Sequence, residues 1–120
     1  MPIYEDVVNQ WMDLTGPQSE ELLLTVMEEE AKELLEAIEE YRRTPAWVES
    51  KMNLLKEMCD VTFTNMVFTE HKGWDYGGAF DEVGESNLSK GDMDGNLTRR
   101  EDGKILKGEY YYPPNMEYFI

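Results

Sequence analysis

Two long stretches of helical periodicity, about 19 to 43 and about 46 to 72, flank Thr44-Pro45, and each carries carboxylates where apolar side chains belong. At about 100° per residue, Leu23, Met27, Leu34, Ile38 and Tyr41 of the first stretch fall in one sector roughly 60° wide. Glu30 lies within about 20° of that sector, between Met27 and Leu34. Glu33 lies beside Val26 and Ala37. Glu28, Lys32 and Glu39 occupy the opposite face and read as solvated surface. A carboxylate on an apolar stripe is costly unless it is paired or holds a metal.

The second stretch repeats the anomaly. Leu54, Leu55, Met58, Val61, Thr62 and Phe68 form a broad apolar arc, which leaves a narrow polar strip of Asn53, Glu57, Asp60 and Thr64. Glu57 and Asp60 are three residues apart, as are Glu30 and Glu33, so each pair shares one helix face. Folding the two helices antiparallel about Thr44-Pro45 puts the midpoints of the two pairs equally far from Pro45. All four carboxylates then meet at one height. They cannot all stay ionised unaided, and hard oxygen ligands suit Mg²⁺, with Mn²⁺ as a substitute. A di-iron carboxylate bundle needs Glu-x-x-His pairs. His71 has Phe68 three positions before it, so that motif is absent, and His71 reads as a residue of a helix C-terminus.

The rest of the chain is shorter in pattern. Residues 3 to 14 read as a helix with Ile3, Val7, Val8, Trp11 and Leu14 on its apolar side, stopped by Gly16-Pro17. Thr15 with Gln18 suits a capping box for the next helix, and Ser19 is an alternative cap. Gly73 ends the third helix. Residues 74 to 92 look irregular or briefly helical. Residues 96 to 107 resemble a hairpin with Asp102-Gly103 at its turn. Tyr110 to Tyr112 and Pro113-Pro114 make an extended aromatic tail. Asp92-Met-Asp94-Gly-Asn96 hints at a calcium loop, but Leu97 and Gly103 stand where an EF-hand needs Gly and Glu, so it reads as a turn. Trp11, Trp47 and Trp74 read as core or interface residues, with a base pocket as the other use for one of them.

Taken together, the expected architecture is an all-α antiparallel bundle with a small C-terminal β-hairpin extension. It forms one domain over 1–120, with a helical core at about 3–72 and an extension at about 73–120. Wide apolar arcs on a thin layer of helices call for a second copy, as a homodimer or higher homo-oligomer. With 26 acidic and 11 basic residues, the net charge of −15 repels nucleic acid and anionic membrane. It also opposes any polyphosphate unless divalent metal neutralises the site. Cys59 is the only cysteine, so no internal disulfide forms, which fits the cytoplasm. Lying among apolar residues, it is expected to be a buried, inert thiol. The N-terminus is acidic where a signal peptide is basic.

Val26-Met-Glu-Glu-Glu-Ala-Lys-Glu-Leu34 contains Glu-Glu-x-x-Glu-Leu, and Lys56-Glu-Met-Cys-Asp-Val61 contains Glu-x-x-Asp. Together they resemble the paired motifs of the all-α nucleoside triphosphate pyrophosphohydrolases, the MazG-like superfamily. Val83 to Lys90, Arg99 to Gly108 and Tyr112-Pro-Pro114 resemble the C-terminal extension of its phosphoribosyl-ATP pyrophosphohydrolase-like branch, frequent in phages and bacteria. The resemblance implies that Glu30, Glu33, Glu57 and Asp60 hold Mg²⁺ against a nucleoside triphosphate. Water then attacks between the α and β phosphates, releasing a monophosphate and pyrophosphate, in nucleotide-pool control or house-cleaning. Glu29 or Glu33 is the expected base. Asn87 and Lys90, with Lys104, Lys107 and Arg99 behind them, are the expected substrate contacts. A phage-encoded chain of this kind works in the host cytoplasm. Val61-Thr-Phe-Thr-Asn65 replaces the Tyr-His that usually follows Glu-x-x-Asp in the histidine-pathway enzyme, which argues against phosphoribosyl-ATP itself. The rival readings are a metal-binding regulator without turnover and an acidic helical protein that binds basic partners and no metal.

Overall fold

A computed structural model describes residues 2–92 and 94–120, and the side chains of residues 2–4, Ile3 among them, lie outside that description. The chain is mostly helical, and it divides into two compact units, Met1–Gly73 and Trp74–Ile120.

The first unit holds α1 (Pro2–Thr15), α2 (Glu20–Arg43) and α3 (Val48–Lys72). Ser19, not Thr15, caps α2: its hydroxyl accepts the Leu22 N–H at 3.1 Å. Glu20 and Glu21 open the helix and Arg42 and Arg43 close it, matching the sign of the helix dipole at both ends. Thr44 stops it, donating both its N–H and its hydroxyl to Glu40 O at 3.0 Å. The Thr44 hydroxyl also meets that of buried Ser50 at 2.6 Å, tying the turn to the start of α3. Gly73 ends α3 with φ at +72°, a left-handed conformation that a Cβ disfavours.

Antiparallel packing of α2 on α3 makes the body of this unit, and α1 lies against α3. Val8, Leu23, Val67 and Phe68 form its core, with Met12, Met27, Phe63 and Met66 packed around them. This core sits at the end of the α2–α3 hairpin away from Thr44. A Lys72–Glu20 ion pair at 2.7 Å closes that end from outside.

The apolar arc of α3 is filled on one side only. Leu54 and Val61 are half-buried and Phe68 is buried, whereas Leu55 and Met58 are exposed. Cys59 is also exposed, contrary to the buried thiol expected from its neighbours. The physical reason is geometric: α2 and α1 cover one face of α3, and Cys59 lies on the other.

The second unit begins with α4 (Tyr76–Leu88), a full helix where the sequence suggests an irregular or briefly helical stretch. Each glycine costs a helix about 1 kcal/mol, and α4 contains three. It is held by an Asp75 cap, whose carboxylate accepts the Gly78 N–H at 3.0 Å, and by the tail lying along it. Buried Ser86 donates to Tyr112 O at 2.8 Å, the Tyr112 N–H donates to Ser89 Oγ at 3.1 Å, and the Asn115 N–H donates to Glu82 at 3.1 Å. The tail ends in a 3₁₀ turn, Glu117–Phe119, which the aromatic pattern does not signal, and Phe119 O accepts the Asp75 N–H at 2.8 Å. The expected hairpin forms as β1 (Thr98–Arg99) and β2 (Ile105–Leu106), antiparallel, pairing Thr98 with Leu106 and Arg99 with Ile105. Gly103 supplies the positive φ at its turn. Asp92 caps a separate turn, accepting the N–H groups of Asp94 and Asn96 at 2.9 and 2.7 Å.

Candidate metal centre

Each carboxylate pair sits mid-helix, Glu30 and Glu33 on α2 and Glu57 and Asp60 on α3. The hairpin brings one oxygen of each of the four within 4.8 Å of one another. Around Mg²⁺, with contacts of about 2.0–2.1 Å, ligand oxygens lie about 3–4 Å apart. The group is therefore within about 1 Å of closing on one such ion.

Burial grades across the group. Glu57 is buried, Glu30 and Asp60 are half-buried, and Glu33 is exposed. Among the described residues, Glu30 Oε2 and Glu57 Oε2 are shielded from solvent and have no hydrogen-bond partner. A buried carboxylate oxygen without a donor is costly. Two of them in a set of hard oxygen donors fit a divalent cation such as Mg²⁺ or Mn²⁺. Burial pushes the Glu30 carboxyl above its ordinary value of 4.5, and the charges of Glu33, Asp60 and Glu57 push it the same way. Lys56 partly offsets this crowding: its amine lies 3.1 Å from Glu57 Oε1 and 2.9 Å from Asp60 Oδ2. Hydrogen bonds to Asp60 and Glu57 hold the Lys56 ammonium charged well beyond the usual lysine range.

A cavity of about 460 Å³ opens beside Glu30 and Asp60. Trp11, Leu23, Val26, Phe63 and Val67 give it apolar walls, and Gln18 and Thr64 add neutral polar groups. Trp11 meets Phe63 edge to face, with ring centroids 6.1 Å apart. Trp11 is 43% exposed, so it is a wall of this cavity more than a core residue. Trp47 and Trp74 are exposed as well.

The other residues singled out in the sequence lie elsewhere. Glu29 is on α2 and exposed, outside the four-carboxylate group. In the second unit, Asn87 is exposed on α4, and its carbonyl accepts the N–H of half-buried Lys90 at 3.1 Å. Lys104 is exposed at the hairpin turn, its N–H donating to Asp102 at 3.2 Å. Lys107 places its amine 5.0 Å from the centre of the Tyr111 ring. Arg99 donates to Gly103 O at 3.3 Å. His71 lies in the last turn of α3. Lys56 and Gln18 do not stand out as site residues in the sequence. Lys56 carries a readable signal all the same, since a lysine four positions before Asp60 pairs with it along a helix. Gln18 carries none, because a helix-entry glutamine reads first as a cap.

No curated protein matches the chain. The family model for phosphoribosyl-ATP pyrophosphohydrolase matches residues 10–87, a span that includes all four clustered carboxylates, Trp11, Gln18 and most of α4. On that match, the chain belongs to the phosphoribosyl-ATP pyrophosphohydrolase family, within the MazG-like all-α superfamily.

Proposed function

We propose that the protein is a divalent-metal-dependent nucleoside triphosphate pyrophosphohydrolase, converting a ribo- or deoxyribonucleoside triphosphate to the monophosphate and pyrophosphate. The family points to pyrophosphohydrolase chemistry in general. The observation that carries the finer reading is the convergence of Glu30, Glu33, Glu57 and Asp60, with two buried oxygens that have no donor.

In this reading the four carboxylates hold Mg²⁺, or Mn²⁺ in its place. When bound, such an ion supplies positive charge against phosphoryl oxygens and lowers the pKa of water in contact with it. Glu33 is the first candidate base, because it is the member of the four that is exposed to solvent. Glu29, on the exposed face of α2, is the second candidate. The cavity beside Glu30 and Asp60 has the size of a small-molecule site. Its aromatic walls suit a base, and Gln18 and Thr64 offer hydrogen bonds to the base edge. Asn87, Lys90, Lys104 and Lys107 are proposed phosphate or base contacts on their donor chemistry alone. The stretch Val61-Thr-Phe-Thr-Asn65, without the Tyr-His that usually follows Glu-x-x-Asp in the histidine-pathway enzyme, disfavours phosphoribosyl-ATP as the substrate. The role assigned is nucleotide-pool control in a phage or bacterial cytoplasm, by one domain spanning 1–120.

The working unit is proposed to be a homodimer. Val48, Met52, Leu55, Cys59 and Thr62 follow one another at spacings of four and three along α3, and Val48, Met52, Leu55 and Cys59 are exposed. That spacing is the seam of a helix bundle. Leu24 and Leu35 of α2 are exposed too.

Incubating the protein with a panel of nucleoside triphosphates and Mg²⁺ or Mn²⁺, then separating the products, tests the reaction. Monophosphate and pyrophosphate in equal amounts from one or a few bases is the expected result. No turnover on any base, with metal still raising the melting temperature, would leave a metal-binding regulator. No metal effect at all would leave an acidic interaction protein.

A further inference from the structure

The four clustered carboxylates bring as many as four negative charges within 4.8 Å, and the chain meets them with a cation of its own. Lys56 precedes Glu57 and lies one turn before Asp60, and its exposed side chain reaches both carboxylates. Its amine takes Glu57 Oε1 and Asp60 Oδ2. It reaches one oxygen from each acidic residue of the α3 pair and leaves Glu57 Oε2 without a partner. Its side chain is 64% exposed, so little packing holds it there, and water offers the ammonium an alternative.

A divalent ion held by these carboxylates, Glu57 Oε2 among its ligands, would come close to the amine on Glu57 Oε1 and Asp60 Oδ2. An ion about 2 Å from a Glu57 or Asp60 oxygen would stand about 4–5 Å from an ammonium about 3 Å from the same carboxylates. At that distance the two cations repel strongly in any medium drier than water. Occupation by Lys56 and occupation by metal therefore oppose each other through charge.

We propose that Lys56 is a built-in counter-cation of the metal centre, seated on Glu57 and Asp60 in the metal-free protein and expelled when a divalent ion loads. The proposal rests on the metal reading given above. It has two consequences. The amine steadies the carboxylates of α3 when metal is absent, and it raises the metal concentration at which the site fills. If the amine holds the oxygens nine-tenths of the time, the apparent Kd rises about tenfold.

Two measurements on the full chain test it. The first is amine labelling of the wild-type protein with an N-hydroxysuccinimide ester, read by mass spectrometry, in EDTA and in saturating Mg²⁺. Lys56 should label several-fold faster with Mg²⁺, while Lys51, exposed on the same helix, should not change. The second is calorimetric titration of Mn²⁺ into the wild type, Lys56→Met, Lys56→Gln and Lys51→Met. Both Lys56 variants should bind Mn²⁺ about three- to tenfold tighter than the wild type. Lys51→Met removes the same net charge and should shift affinity far less. Equal labelling in both conditions, or equal shifts in the Lys56 and Lys51 variants, would overturn the counter-cation. If instead the wild type and both Lys56 variants bind no Mn²⁺, the metal reading itself falls and takes this one with it.

Discussion

Glu30 concentrates the physical conflict in this protein. It stands on the apolar stripe of α2, its Oε2 has no donor, and burial raises its carboxyl above 4.5. A group whose pKa is raised by folding favours the fold when neutral. Below pH 4.5 the protonated Glu30 costs little, and as pH climbs through the raised value the charged form weighs against folding. We predict that in EDTA the contribution of Glu30 to stability falls as pH rises from 4.5 through that value. A comparison of thermal melts for the wild type and Glu30→Gln across pH reads this directly. The glutamine variant should melt higher than the wild type in EDTA at neutral pH, and Mg²⁺ should stabilise it less. Its turnover should fall more than about 100-fold, since the ion's charge stabilisation is worth several kcal/mol. An equal metal response in both proteins would contradict the assignment of Glu30 as a ligand.

At the scale of elements, the α2–α3 hairpin is legible in the sequence because two independent patterns agree about Pro45. The apolar sectors define which faces meet, and the acidic pairs are equally far from the turn. That symmetry is enough to group four residues dispersed over two helices. The second unit is less legible. The glycines of α4 argue for a loop, and what holds the helix is the Asp75 cap and the tail bonded to it from Tyr112 and Asn115. Contacts between segments more than twenty residues apart leave no local pattern. The 3₁₀ turn at Glu117–Phe119 escapes sequence reasoning for the same reason. Two substitutions weigh the elements of the first unit. Phe68→Ala should cost about 3–5 kcal/mol by opening a cavity in the core. Gly73→Ala should cost about 1 kcal/mol by straining the left-handed end of α3. Urea denaturation followed by circular dichroism measures both, and an equal cost at the two positions would mean that the core is placed wrongly.

For the whole molecule, the exposed stripe on α3 is a mismatch between apolar pattern and burial. Periodicity reveals that α3 has a wide apolar arc. It does not reveal which part is covered by the chain's own helices, because helix patterns are the same whether the neighbour is covalently attached or a second copy. Cys59 reads as buried in the sequence for that reason. A dimer through Val48, Met52, Leu55 and Cys59 predicts that Leu55→Glu shifts the protein toward monomer in multi-angle light scattering at micromolar concentration. Since Leu55 is 62% exposed in the single chain, the substitution should leave helicity intact. A wild type that is already monomeric under those conditions would remove the dimer from the account.

The central claim is that Glu30, Glu33, Glu57 and Asp60 form a divalent-metal site. Titrating Mn²⁺ into the wild type and into Glu57→Gln by calorimetry tests it most directly, because Glu57 is the most buried of the four and its orphaned oxygen most needs an ion. Saturable binding in the wild type, weakened at least about tenfold in the variant, is the predicted result. The same affinity in both proteins would contradict it.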